Sequence, residues 1–461
     1  MRFSVVSAVA TQRVQTTGLL LCAAGIGGCL LAAVSLQNPD EVGHMNLANV
    51  RAYVASALAA GVLFAVASGL ILWRPPPGRV ALMLILLAGL AMRAIMVVTP
   101  PLLSTDLYRY VWDGRVQAAG VNPYRYVPAD PALTGLRDAG TGPTAIYRNI
   151  NRVDIAPTIY PPVAQAIFAL TAFVVPGVWG IKALMLAFDL LAMGLTLLIL
   201  RAAALPLSRV LLYAWNPLVV YEFAGGAHID ALAVGFSALA LLAAIRARPG
   251  WAGAALAAAV LCKLLPAVLA PALWRPRSWR MPLVAAAVVV VGYAAYASVG
   301  WRVLGYLPGY AQEEGVAGTG MLLLRLLPAP VPGWAILAYG GGALLLLAAL
   351  AIRSLWRPTT PSATPRAIAV DALWLTTALM VALSPHYPWY LTALAIPATI
   401  APRLTPMWLM LVAPLLYLDP DHDAVLWPAI VFLPAIATLA YDLFRHRLPE
   451  NFDVRYADRA R

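Results

Sequence analysis

Apolar runs close to 20 residues long recur from one end of the chain to the other, each closed by a short polar break. That is the length a helix needs to cross roughly 30 Å of hydrocarbon. The runs fall near 17–36, 51–73, 80–98, 181–200, 210–224, 231–245, 281–299, 333–352, 367–384, 388–401, 405–418 and 425–443. They predict an all-α polytopic membrane protein, a bundle of about 12–14 membrane helices, in which 1–461 form a single integral membrane domain. The first run follows Arg2 and Arg13 and imitates a secretory leader, with Ile26-Gly27-Gly28-Cys29 as a loose cleavage box. Further spans follow at once, so it is read as a span.

Two stretches break the alternation. Counting 163–178 as a crossing would misplace Arg201 and Arg209, so it is expected to be a re-entrant or juxtamembrane helix. The stretch 251–274 has basic clusters at both ends and is expected to form a re-entrant hairpin with its tip near Cys262-Lys263-Leu264-Leu265-Pro266. Non-helical backbone at that depth needs protein or a watery cavity around it. The runs 388–401 and 405–418 cover only about 21 Å each, which also suggests a hollowed face. The long loop 99–162 is the one sizeable segment outside the membrane, and 444–461 is a polar tail.

Composition changes the picture in one respect. With 62% hydrophobic and 11% charged residues and a mean hydropathy of +0.79, the 461 residues cannot coat soluble domains, which run nearer a quarter charged. The net charge of +12 is scattered singly between apolar runs, which excludes a nucleic-acid partner. The positive-inside rule gives it a use. Most bases fall on one side if the N- and C-termini are cytoplasmic, and most acids, including Asp106, Glu222, Asp230, Glu313 and Glu314, on the other. The protein is therefore expected in the inner or plasma membrane with its site facing outward. Cys22, Cys29 and Cys262 make no disulfide framework or metal cluster, and no phosphate loop, zinc-protease motif or transporter repeat is found.

The loop 99–162 holds Tyr108, Tyr110, Trp112, Tyr124, Tyr126, Tyr147 and Tyr160 among six arginines and five aspartates. Flat aromatics suit sugar faces and arginine suits phosphate. Asp106 stands just after a span, where a partly shielded carboxylate can act as a general base; as well supported by residue type alone is a helix cap after Ser104-Thr105. Arg109 can pair with Asp113 one turn on. Only two lysines exist, Lys182 and Lys263, both in apolar surroundings where a charge is expensive. Arg93, late in its span, is expected to snorkel outward.

Asp106 through Arg115, Asn122-Pro123-Tyr124, Ile146-Tyr147 with Ile150-Asn151, and Thr158 through Gln165 resemble the first outer loop of GT-C glycosyltransferases. The nearest resemblance is to the bacterial polyprenol-phosphate-mannose-dependent mannosyltransferases and their relatives. Trp215-Asn216-Pro217-Leu218, Tyr221-Glu222 and Gly225 through Leu232 are similar to a second motif of that branch, and Ser384 through Tyr390 to a third. The resemblance implies a GT-C-like bundle with a large outer catalytic loop. It implies an inverting transfer of a sugar, expected to be mannose, from a polyprenyl-phosphate donor to a glycolipid, glycan or protein acceptor at the outer face of the bilayer.

It carries the catalytic base to Asp106. His386 is a second catalytic candidate, able to donate to the leaving phosphate, or else part of an interfacial aromatic belt. Substrate contacts are expected from Arg109, Tyr110, Trp112, Asp113, Arg115, Asn122, Tyr124, Tyr160, Gln165, His228, Asp230, Lys263, Trp389 and Tyr390. Asp113 is the weaker base candidate, since Gly114-Arg115 suggests a turn and a local ion pair. Asp230 can equally cap the span after it, and Lys263 can bind the donor phosphate or a structural acid such as Asp189. Glu222 reads as an interfacial acid. The DxD signature is absent from the loop 99–162, so no cofactor is expected beyond the lipid-linked substrate, with divalent metal left open. The competing class is a transporter or flippase of a lipid-linked sugar; a whole-glycan ligase and a scaffold rank lower.

Overall fold

The computed structural model describes residues 2–36, 46–76, 78–101, 103–140, 144–275, 277–315, 319–357, 364–419 and 424–445. Among these every regular element is helical, and the chain is an all-α multi-pass membrane protein. The predicted tail 444–461 lies almost wholly outside the described residues. Seven described helices are long and apolar enough to cross a membrane. They are α1 (Arg2–Ser35, through its Val14–Ser35 portion), α2 (Leu47–Trp73), α3 (Arg79–Val97), α6 (Val178–Ala202), α10 (Gly333–Trp356), α11 (Thr364–Leu383) and α13 (Leu426–Arg445). Between them stand the shorter α4 (Asp106–Ala118), α5 (Pro162–Val174), α7 (Asp230–Ile245), α8 (Pro249–Val260), α9 (Arg280–Ala294) and α12 (Leu404–Val412).

Three predicted spans prove interrupted. The run 210–224 opens as a short helix and breaks at Asn216-Pro217, where proline has no N–H to continue the ladder. Asn216 caps the restart by accepting from Leu218 N, and the chain then winds as a π-helix over Val220–Gly225. The run 281–299 leaves its helix at Ala294 and turns by 111° into Ala297–Glu313. The run 388–401 begins as a 3-10 helix at Pro388–Leu394.

Between α8 and α9 the helix stops at Val260 and resumes as the 3-10 segment Leu265–Leu269, so that Lys263 stands at the break. α8 packs along α7, which returns Lys263 to the Asp230 end. Further on, Arg275 bonds Asp371 near the start of α11, while His386 lies beyond that helix's far end.

The buried charges are matched. Arg93, expected to point outward, is 1% exposed and donates through Nε and Nη2 to Asp189 at 2.6 and 2.9 Å. It also donates to Gly89 O and Ala214 O, and Tyr213 Oη donates to Asp189. A guanidinium facing α6 finds a complete set of acceptors there, so it has no reason to leave. Lys182 donates to Thr99 O at 2.6 Å and Gly225 O at 2.7 Å. α10 by contrast is mostly bare, with Leu337, Leu344 and Leu345 exposed, as a lipid-facing helix should be.

Candidate functional site

α4 starts at Asp106 with Thr105 as its cap, whose side chain makes no capping bond. The carboxylate of Asp106 is therefore not consumed as a cap; only its N–H is taken, by Ser104 Oγ at 3.2 Å. No turn forms at Gly114-Arg115, and α4 runs on to Ala118. Gly114 lies against the Phe168 carbonyl so closely that a Cβ would collide with it, which lets α4 and α5 lie side by side. Asp113 locks the pair: Arg109 Nε donates to it at 2.9 Å, Thr158 Oγ1 at 2.6 Å and Gln165 Nε2 at 2.9 Å. Each of these groups is buried, and a fully satisfied network of this kind fixes a single geometry.

The brace aims Asp106 into a cavity of about 210 Å³. Its wall takes Asp106, Tyr110 and Tyr160 from one side and Asp230 and Lys263 from a second. Tyr310, Glu314, His386, Trp389 and Tyr390 come from a third. Asn151 Nδ2 donates to Asp106 Oδ1 at 3.1 Å, and His228 Nδ1 lies 4.0 Å from Oδ2. Lys263 Nζ donates to both oxygens of Asp230 at 2.8 Å and sits 3.6 Å from the Tyr390 ring centroid. His386 Nδ1 lies 3.4 Å from Glu314 Oε2, and the Tyr310 and Tyr390 hydroxyls are 2.7 Å apart. Trp389 is sandwiched between His228, centroids 3.9 Å apart, and Tyr387, 4.5 Å apart.

Burial holds the Asp106 carboxyl above the ordinary aspartate value, against the opposing pull of Arg152 and the Asn151 hydrogen bond. Burial also pushes the His228 imidazole well below its ordinary value, with Lys263 adding to the effect, so the ring is neutral near pH 7. A sign follows for catalysis by Asp106. Protonation removes the base as pH falls through its raised value, so activity fades at a higher pH than an exposed aspartate, near 3.9, would set. A pH profile of kcat/KM with its acidic limb at or below the ordinary range contradicts this. Among the described residues no three His, Cys, Asp or Glu side chains are grouped to hold a metal ion.

Of the residues singled out in the sequence, Asp106, Tyr110, Tyr160, Asp230, Lys263, His386, Trp389 and Tyr390 line the cavity. His228 stands behind Asp106. Asp230 is not the cap of α7, since Ile229 holds that position and the carboxylate faces Lys263. The partner of Lys263 is thus Asp230 rather than Asp189, which Arg93 already occupies.

Arg109, Trp112, Asp113, Arg115, Asn122, Tyr124 and Gln165 do not line the cavity. Their side chains are engaged within the loop or against the elements packed on it. Arg115 donates to Leu136 O and Asp138, Asn122 Nδ2 to Tyr296 O and Ser298 Oγ, and Tyr124 Oη to Tyr160 O at 2.7 Å. Trp112 packs on Tyr147.

Asn151, Arg152, Tyr310, Glu314 and Tyr387 gather at the site without having been singled out. Asn151 was within a motif, and Glu314 shared an acidic pair; what neither pattern contains is the long-range partner.

The model of a family described as alpha-(1->6)-mannopyranosyltransferase, N-terminal domain, matches residues 14–276, more than half of the chain. No curated protein and no solved structure matches.

Proposed function

Since the chain belongs to the alpha-(1->6)-mannopyranosyltransferase family and is a membrane glycosyltransferase, we infer that it moves mannose from a polyprenyl-phosphate donor to a hydroxyl of a glycolipid or glycan at the extracytoplasmic face. The observation that carries this is the joining at Lys263 of two spaces, of which one carries further ionisable groups and the other none beyond the residues they share. On one side lies a mostly apolar cavity whose wall carries Asp106, Glu314 and His386. On the other an apolar pocket runs between α7, Leu265–Leu273, α11 and Ala393–Pro397, sharing Asp230, Lys263, Leu265, Met380 and Tyr390 with the first. A sugar phosphate on a hydrocarbon chain has the same division.

In this reading Asp106 takes the acceptor proton as the acceptor oxygen attacks the anomeric carbon, and the bond to the phosphate oxygen breaks on the opposite face. A single displacement assisted by one base is the inverting route. Lys263 meets the phosphate as it gains charge, helped by His386. Tyr390 offers a flat face to the sugar, whereas Trp389 is stacked with His228 and Tyr387. The acidic outer loops and basic opposite ends of the spans support the outward-facing site and cytoplasmic termini.

Lys263→Met is expected to raise the donor KM by about 10- to 100-fold, the loss of one charge-assisted contact. Because Asp230 would be left buried and unpaired, Lys263→Met with Asp230→Asn restores stability without restoring donor affinity. Steady-state kinetics and thermal melts in detergent read the two effects apart. An unchanged KM in both variants removes Lys263 from the donor site.

The overall test is incubation of purified protein with polyprenyl-phosphate mannose carrying labelled sugar and a membrane lipid extract. A labelled lipid or glycan product supports the assignment. Label crossing a vesicle wall with its donor intact would instead support transport.

A further inference from the structure

A line of buried side chains stands behind Asp106. The His228 side chain is 1% exposed and that of Glu222 2%. His228 Nδ1 lies 4.0 Å from Asp106 Oδ2, and Nε2 lies 3.3 Å from Glu222 Oε2. Tyr417 Oη closes the far end by donating to both Glu222 oxygens, at 3.1 and 2.9 Å. At these positions neither ring nitrogen completes a hydrogen bond, which is rare for a group so deeply buried.

The local backbone is distorted around that ring. Val220–Gly225 form a π-helix, a rare winding found frequently at functional sites. Ala227 adopts φ +54°, strained for a residue with a Cβ. A Cβ on Gly226 would stand 2.8 Å from His228 Nε2. Trp389 fixes the ring plane by stacking on it at 19°. Strain, a required glycine and a stacked ring all serve to hold an imidazole between two carboxyl groups.

We propose that His228 is a positioning residue for Asp106: protonated Glu222 donates to Nε2, which keeps the proton of the neutral imidazole on Nδ1, and Nδ1–H donates to the Asp106 carboxylate when substrate fills the cavity. Hydrogen bonds of this kind are commonly long in an empty site and tighten in the complex. Asn151 already holds Oδ1, so the second donor on Oδ2 fixes the plane of the carboxylate toward the acceptor. No proton travels along the line; the one removed from the acceptor hydroxyl stays on Asp106. A donor to the charged form favours that form, so the line keeps a partly buried base ionised. The charges facing Asp106 are Arg152, Lys263, Asp230 and Glu314, with the phenols of Tyr110, Tyr160, Tyr387, Tyr390 and Tyr417; Lys263 also faces His228. The inference rests on Asp106 being the base.

Four variants of the full-length protein in detergent test it, with polyprenyl-phosphate mannose as donor. His228→Phe keeps the stack on Trp389 but has no nitrogen, whereas His228→Asn restores an N–H near the Nδ1 position. Glu222→Leu removes the donor to Nε2, whereas Glu222→Gln keeps one. His228→Phe and Glu222→Leu are expected to lower kcat by about 10- to 100-fold, as for loss of a hydrogen bond to a charged group. Donor KM should stay within about threefold, and the acidic limb of the kcat profile should move to higher pH. His228→Asn and Glu222→Gln recover most of the rate. A role in packing alone would lower the thermal midpoint without moving that limb. Unchanged kcat and limb in His228→Phe, or equal losses in Glu222→Gln and Glu222→Leu, overturn the proposal. Asp106→Asn, run alongside, separates the claims. If it is inactive while His228→Phe is normal, only the positioning role fails; if it is active, the base assignment fails with it.

Discussion

Asp106→Asn is expected to lower mannosyl transfer by about 100- to 10,000-fold, the range of general-base assistance, and to leave the protein folded. Asparagine has the same shape and keeps an oxygen for Asn151 Nδ2, but its amide accepts no proton from a hydroxyl. Stability moves the other way. A carboxyl whose value is raised by folding, as burial does here, makes the folded state less stable at any pH above that value. Removing the ionisable group relieves that burden, so the thermal midpoint near neutral pH should stay level or rise. Turnover of labelled donor and a melt in detergent measure both sides. A variant keeping a tenth or more of its activity places the base elsewhere.

The second large effect is structural. Asp189→Leu leaves Arg93 charged, 1% exposed and facing an apolar side chain. Breaking one partner of such a pair costs about 3–5 kcal/mol, enough to exhaust the margin of many proteins. Loss of folded protein on size exclusion is the expected outcome. Arg93→Met with Asp189→Leu should recover most of the stability, because the cost lies in the orphaned charge rather than in the pair's net value. A double-mutant cycle on thermal midpoints gives the coupling. If Asp189→Leu alone melts like the parent, the pair does not secure α3 to α6.

The helices that carried one unbroken apolar run were legible at once, because membrane length and hydropathy are local properties of the sequence. α2, α3, α6, α10 and α11 follow the predicted ranges closely. The interrupted segments were not, although their causes are local too. Asn216-Pro217 sits inside an apolar run that periodicity alone counts as continuous, and the π-helix after it has no composition signal. At the site, rarity was the useful guide: a lysine, two histidines and an aspartate in apolar surroundings were singled out, and the fold brings Asp106, Lys263 and His386 to one cavity with His228 behind it. Charge type misled in the first loop. Arg109, Asp113 and Arg115 have the chemistry of substrate ligands; the spacing did show the Arg109–Asp113 pair one turn apart, but their other partners, Ala156 O, Thr158, Gln165 and Asp138, lie tens of residues away. Arg93 failed for the same reason, since its carboxylate stands 96 positions on.

Lys182 has a consequence for how such a site keeps its spacing. Its ammonium ties Thr99, just ahead of the segment that carries Asp106, to Gly225, just ahead of the loop that carries His228. Parting those two strands would break charge-assisted bonds in apolar surroundings, each worth about 1.5–3 kcal/mol. The facing wall, Ala297–Glu313, is fastened to the first loop by the partly exposed pair Arg152–Glu313, by Asn122 on Ser298 Oγ and by the Tyr306 N–H on Thr158 O. Lys182, one side chain outside the cavity, thus sets the spacing between the backbones that bear base and imidazole.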